Sequence, residues 1–226
     1  MQPIAIIPAR GGSKRTPRKN IADLAGHPLL SYPVRAAQES GLFSRVIVST
    51  DDAEMADVAL AYGAEVSMRG AGLSDDVAPV KAVCADLLRQ LDERPEWFCC
   101  VYATAALITS EDLRASYALA DEGCDGVMGV SGYPIHPYKA MKLDEAGNMV
   151  PLWPELNMLK SQAHPHVAAS NGTLYWVRTE MFIKQPDFYP ARLRGYEVPA
   201  EHVQDVDTPD DLETLRRKFA LNRGEA

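Results

Sequence analysis

Cysteine is scarce in this chain of 226 residues: Cys84, Cys99, Cys100 and Cys124 complete the set. None belongs to a Cys-x-x-Cys pair and no histidine stands at zinc spacing from them, which argues against a zinc module or a disulfide scaffold. They are expected as buried, reduced thiols, with Cys99 and Cys100 turned to opposite faces by strand alternation. Positive charge is also short. Lysine and arginine number 23 against 31 acidic residues, a formal net charge of −8. That balance disfavours a basic stripe for nucleic acid, and an anionic ligand must be held by a few placed cations. No apolar run reaches the length of a membrane span, and Met1–Pro8 lacks the basic region and apolar stretch of a signal peptide, so a cytoplasmic protein without a membrane partner is expected. Neither G-x-x-x-x-G-K-[ST] nor G-x-G-x-x-G occurs, which disfavours a P-loop NTPase and a dinucleotide fold.

What is present reads as one α/β domain spanning residues 1–226. Composition is that of an ordinary globular protein, 46% hydrophobic and 24% charged. Short β-branched runs at Ile4–Pro8, Arg45–Thr50, Glu65–Met68, Trp97–Tyr102, Gly126–Val130 and Gly172–Val177 predict strands. Between them, helical patterns fall near Leu29–Gln38, from an Asp51 or Asp52 cap to about Tyr62, at Val77–Leu91, at Ser110–Asp121 and at Thr208–Phe219. This alternation predicts a doubly wound, mostly parallel sheet, with ligands outside the carboxyl ends of its strands. From about 131 to 169 the pattern breaks into recurrent proline among Tyr, Trp and His. That segment is too aromatic for a disordered linker and is expected to be an insertion, a lid or a dimer arm.

Two constellations carry chemistry. The first follows the first strand: Ile7-Pro8-Ala9-Arg10-Gly11-Gly12-Ser13-Lys14-Arg15-Thr16-Pro17-Arg18-Lys19-Asn20. Two glycines let backbone approach an anion, and five cations gather in an otherwise acidic chain. A solvated basic turn is the plainer alternative. The second is Val203-Gln204-Asp205-Val206-Asp207-Thr208-Pro209, where an extended backbone projects Asp205 and Asp207 to one face. Two carboxylates beside a triphosphate suit Mg²⁺; alternatively Asp207 caps the last helix.

Loop and carboxylate pair together resemble the acylneuraminate (CMP-sialic acid) cytidylyltransferase family. Further matching stretches are Val46–Asp51, Gly63–Val66 with Arg69, Leu73–Asp76, and Asn171-Gly172 with Tyr175. The resemblance implies a nucleotide-diphospho-sugar transferase-like Rossmann fold that uses CTP, a nine-carbon sugar acid and Mg²⁺. It implies nucleotide contacts from Ala9, Arg10, Gly11, Gly12, Ser13, Lys14, Asn20 and Arg69, with Arg10 and Lys14 on the phosphates and Asp205 and Asp207 on the metal. Lys139 falls where the family places a lysine for the sugar carboxylate, and 131–169 corresponds to a dimerisation arm that completes the partner's sugar pocket in a homodimer. Tyr102, Thr104 and Asn171 are expected on the substrate.

Two departures bear on that substrate. Tyr102-Ala103-Thr104-Ala105 is similar to the pseudaminic acid branch, and Ile108, with Ala169 or Ser170, stands where sialic-acid members carry arginines. A less polar wall at 102–108 would suit acetamido and deoxy-methyl groups, favouring pseudaminic acid over N-acetylneuraminate or legionaminate. The alternative is that this segment lines the nucleotide or packs in the core. His136, His164 and His166 are expected to serve sugar binding rather than catalysis. Rival readings are another sugar-nucleotide pyrophosphorylase and a nucleotide-binding module without turnover.

Overall fold

The protein is seen in a computed structural model that describes residues 1–12, 16–73 and 79–224. Strand β1 (Ile4–Pro8) has no polar face, and Ile4, Ala5, Ile6 and Ile7 are all buried. A strand apolar on both sides belongs inside a parallel sheet covered by helices on both faces. It lies between β4 (Arg45–Thr50) and β6 (Trp97–Val101) and is parallel to both, while β5 (Glu65–Met68) continues the sheet beyond β4. Beyond β6, β10 (Ala168–Arg178) runs antiparallel to β6 and to β7 (Gly126–Gly132), and β11 (Leu193–Glu197) pairs parallel with β7. The order β11-β7-β10-β6-β1-β4-β5 bears out the doubly wound, mostly parallel expectation. A two-residue hairpin, β2 (Asp23–Leu24) with β3 (His27–Pro28), follows the first loop.

Helices close where capping chemistry directs. Helix α1 spans Ser31–Ser40, two residues later than periodicity suggests. Asp52, rather than Asp51, caps α2 (Ala53–Ala61), accepting the Met55 amide at 3.0 Å. Helix α3 covers Val80–Arg89, and α4 (Ser110–Tyr117) stops short of Asp121. Thr109 with Asp112 and Thr208 with Asp211 form capping boxes for α4 and for α7 (Pro209–Asn222), with Pro209 in the first turn of α7. Strand β11 and helix α6 (Thr179–Lys184) had no sequence signal of their own.

One core lies on each face of the sheet. Strand alternation sends Cys99 to the face of Trp176 and Val127 and Cys100 to the face of Phe98 and Phe182, as expected. All four cysteines are free and buried. Of the expected 131–169 insertion, residues 133–167 leave this frame, while Ser131, Gly132, Ala168 and Ala169 still pair as the ends of β7 and β10. They form the hairpin β8 (Met141–Leu143) with β9 (Met149–Pro151) and one helical turn, α5 (Pro154–Asn157).

Candidate active site

The carboxyl ends of β1 and β6 diverge where the strand order switches direction, which opens a crevice between them. A cavity of about 330 Å³ occupies it, with Pro8, Arg10, Lys19, Asn20, Arg69, Tyr102 and Thr104 among its walls. The sheet shapes the loop above it. Ala9 is buried and its amide donates to the Ser49 carbonyl at 2.8 Å, so it holds the loop to β4. The Gly11 amide donates to Asp51 Oδ1 at 2.9 Å. Glycine is required there, since a Cβ would stand 2.8 Å from Asp52 Oδ2. The Gly11 amide thus braces the loop against the segment that follows β4. Gly12 is exposed at the loop's edge. Ser13 and Lys14 lie outside the described residues.

Asn20 is buried and donates from Nδ2 to the Arg10 carbonyl at 3.0 Å, so it fixes Arg10 in the cavity wall. Arg69 donates to Ser49 Oγ at 3.2 Å and to the Ser49 carbonyl at 2.8 Å. Burial pulls its guanidinium below the usual value, and the Asp51 carboxylate works the other way. An arginine so placed still carries its charge at neutral pH, in a setting that screens it poorly. Burial also pushes the Tyr102 hydroxyl up, keeping it protonated.

The carboxylate motif meets this loop across the length of the chain. Lys19 Nζ donates to the Val206 carbonyl at 2.7 Å and to Asp207 Oδ1 at 3.2 Å, and Thr16 Oγ1 donates to the Asp207 carbonyl at 2.8 Å. Val206 is fully buried between the two aspartates, of which Asp205 is exposed and Asp207 half-buried. Thr208 and Asp211 perform the capping, so the carboxylate of Asp207 is not spent on α7. Asp205 lines a second cavity of about 550 Å³ with Ser131, Asn171, Tyr175, Tyr189 and Val203. Tyr102 and Tyr175, with ring centroids 5.8 Å apart, stand between the two cavities. Asn171 Oδ1 accepts from the amide and hydroxyl of Thr173, at 3.2 and 2.6 Å, and Nδ2 donates to Ser131 Oγ.

Other expected residues are placed elsewhere. Tyr102 and Thr104 wall the Arg10 cavity rather than the Asp205 cavity. Ala105 and Ile108 are 5% and 4% exposed and pack in the core. Segment 102–108 therefore splits into a wall of the Arg10 cavity and a turn packed in the core. Lys139 donates from Nζ to the Asn157 and Leu159 carbonyls, within the insertion. It shares a separate cavity of about 820 Å³ with His136, His164 and His166. Lys19 and Thr16 are the linking residues that reading the sequence passed over, because charge in a basic loop does not reveal its partner 188 residues away.

The cytidylyltransferase family matches residues 4–223 of the chain. This chain belongs to that family. As a cytidylyltransferase it is an enzyme, a nucleotidyltransferase. It is 34% identical to the pseudaminic acid cytidylyltransferase of Campylobacter jejuni subsp. jejuni serotype O:2 over the whole of both chains. It is 31% identical to the CMP-N,N'-diacetyllegionaminic acid synthase of Legionella pneumophila, covering 99% of this chain and 98% of the relative. Among solved structures, a CMP:2-keto-3-deoxy-manno-octonic acid synthetase complexed with CTP superposes with a TM-score of 0.74 at 17% identity, covering 98% of this chain and all of the other, which shows a shared fold. No helix among the described residues is long and apolar enough to cross a membrane.

Among the described residues no group of three or more His, Cys, Asp and Glu could hold a metal alone. Asp205 and Asp207 offer hard oxygen donors without nitrogen or sulfur beside the cationic cavity. Such a set fits Mg²⁺ completed by phosphate oxygens and water, not a metal caged by protein.

Proposed function

We propose that this cytidylyltransferase joins CMP, taken from CTP, to the anomeric hydroxyl of a nine-carbon 2-keto sugar acid, with pseudaminic acid as the preferred substrate. One observation carries this reading: a cationic cavity and a carboxylate-bearing cavity meet across Tyr102 and Tyr175, in a chain similar end to end to a pseudaminic acid cytidylyltransferase. CTP occupies the first cavity and the sugar the second. The anomeric oxygen attacks the α-phosphorus in line, the bond to the β-phosphate oxygen breaks, the hydroxyl proton passes to solvent, and pyrophosphate leaves. Little covalent help from the protein is needed, so rate comes from positioning and from neutralising charge.

Arg10 and Arg69 then meet the negative charge of the nucleotide, and Lys14 is assigned to the same phosphates by its place in the motif. Asn20 orients Arg10 through the Arg10 carbonyl, and Lys19 holds the Asp205–Asp207 segment against the loop. Mg²⁺ held by Asp205 and Asp207 would neutralise phosphate charge and make the anomeric hydroxyl more acidic. We assign the insertion to a homodimer interface. Its Ile135, Leu143, Met149, Trp153 and Met158 expose more apolar surface than an isolated domain comfortably leaves in water.

Pyrophosphate release tests the assignment, with CTP, UTP and dTTP each offered with pseudaminic acid, N,N'-diacetyllegionaminic acid and N-acetylneuraminic acid. CTP with pseudaminic acid should give the highest kcat/KM, by tenfold or more, a factor worth about 1.4 kcal/mol. Preference for UTP or dTTP with a sugar 1-phosphate would overturn the reading, and equal use of N-acetylneuraminic acid would remove the choice of sugar.

A further inference from the structure

The stretch that carries Asp205 and Asp207 is held at both ends. Lys19 and Thr16 grip it at Val206 and Asp207. Upstream, the single turn Ala200–His202 passes into extended backbone at Val203, which lines the Asp205 cavity. Helix α7 takes one side of that turn. Lys218 Nζ donates to the Ala200 and Val203 carbonyls at 2.9 and 2.7 Å, and Asn222 Nδ2 donates to the Glu201 carbonyl at 2.8 Å. On the other side, His202 brings Nδ1 to 2.9 Å from Asp112 Oδ2. Two lone pairs so close would repel, so Nδ1 carries a proton. The approach is oblique, and no other acceptor among the described residues meets Nδ1, so the pairing is electrostatic.

Asp112 is the fixed point. It is 2% exposed in the first turn of α4, where Oδ2 closes the capping box with Thr109 and Oδ1 accepts the Tyr196 hydroxyl of β11 at 2.9 Å. Burial and the bond to Asp112 push the Tyr196 hydroxyl up, so it stays a donor. A buried carboxylate is costly unless donors surround it, and Asp112 draws in His202 as well as Thr109 and Tyr196.

We infer that His202 is a positioning residue: seated on Asp112, it sets where residues 203–205, and with them the Asp205 carboxylate, stand in their cavity. The inference rests on the function proposed above. His202 walls neither the Arg10 cavity nor the Asp205 cavity, so it acts through Asp205 and not on a substrate. Asp205 Oδ1 accepts the adjacent Val206 amide at 2.8 Å, a bond internal to the stretch that moves with it. The tether must therefore come from outside. A displacement of about 1 Å at such a group can cost roughly a hundredfold in rate.

Two measurements on the full chain test this. Hydrogen exchange without metal or substrate reads the tether directly. In His202→Ala the amides of 203–207 should exchange at least tenfold faster than in wild type, while β1 and β6 keep their protection. Pyrophosphate release with CTP, Mg²⁺ and pseudaminic acid reads the consequence. His202→Ala should lose at least tenfold in kcat, with KM for CTP within twofold and the melting temperature kept. His202→Asn, whose Nδ2 can stand where Nδ1 stood, should return kcat to within threefold of wild type. Unchanged exchange or unchanged kcat in folded His202→Ala overturns the inference, as does a His202→Asn no better than His202→Ala. Should His202→Ala fail to fold, His202→Phe, which keeps the bulk of the ring without its N–H, takes its place. A wild-type chain inactive with every nonulosonic acid removes the proposed function, while the exchange measurement still decides the tether. An active wild type with indifferent variants removes the positioning role alone.

Discussion

The crevice at the strand ends and the 131–169 segment spend their polar groups differently. In the crevice, hydrogen bonds join distant parts of the chain: Asn20 to Arg10, Gly11 to Asp51, Lys19 to Val206, Thr16 to Asp207. In the insertion they stay within the segment, as where Asp144 caps the β8–β9 turn by accepting from Ala146 and Asn148, or where Lys139 donates to the Asn157 carbonyl. The crevice buries its apolar neighbours, Ala9 and Val206 among them, while the insertion turns Leu143 and Met149 outward at 67% and 57% exposure. One region is cross-braced between distant parts of the chain, and the other keeps its bonds to itself and leaves apolar side chains bare, the pattern on which the proposed dimer interface rests.

The sharpest way to break this contrast is at the carboxylates. Asp205→Ala and Asp207→Ala should each lower turnover at saturating Mg²⁺ at least a hundredfold, about 2.7 kcal/mol of transition-state stabilisation, with melting curves close to wild type. Near-normal turnover in both would mean that the bracing serves stability and not chemistry.

The insertion offers the next test. Light scattering at micromolar concentration should give about twice the 24.8 kDa chain mass, and Leu143→Lys combined with Met149→Lys should return the single-chain mass with far-UV dichroism unchanged. These two residues face each other across the β8–β9 pair. A wild-type protein of single-chain mass would show that the exposed apolar surface serves something other than a second copy.

The smallest expected effect refines the crevice itself. Thr208→Ala removes the hydroxyl that accepts the Asp211 amide at 3.2 Å, and urea unfolding should show a loss of about 1 kcal/mol. Thr208→Ser should restore most of it. If Thr208→Ala instead matched the carboxylate variants in lost turnover at unchanged stability, the cap would belong to the catalytic geometry.

Much of the fold was legible because burial writes itself into local pattern. The run Ile4–Ile7 is apolar on both faces, and Trp97–Val101 likewise, so each reads as a central strand. Strand β11 escaped because an edge strand needs no such run, and its Arg194 and Gly195 blur the alternation. The site was legible in its parts and not in its assembly. Tyr102 to Ile108 reads as one stretch, yet the chain turns after Thr104, with the Ala105 amide donating to the Tyr102 carbonyl at 3.0 Å, and the remainder sinks into the core. Lys139 has the charge expected of a carboxylate binder, while its bonds to the Asn157 and Leu159 carbonyls, made 18 and 20 residues away, leave no mark on the local pattern.

The sequence by itself determined the order of the central strands and of the helices between them, the caps of α2 and α7, the chemical character of the loop and of the aspartate pair, and membership of the cytidylyltransferases. Each of these follows from residues close together along the chain, where periodicity, capping and charge act directly. Tertiary structure decided which cation meets Asp207, which glycine amide is already taken, and which wall Tyr102 faces. Those outcomes depend on separations through space between residues as far apart as Thr16 and Asp207, 191 positions along the chain, and only the packing of the sheet fixes such separations.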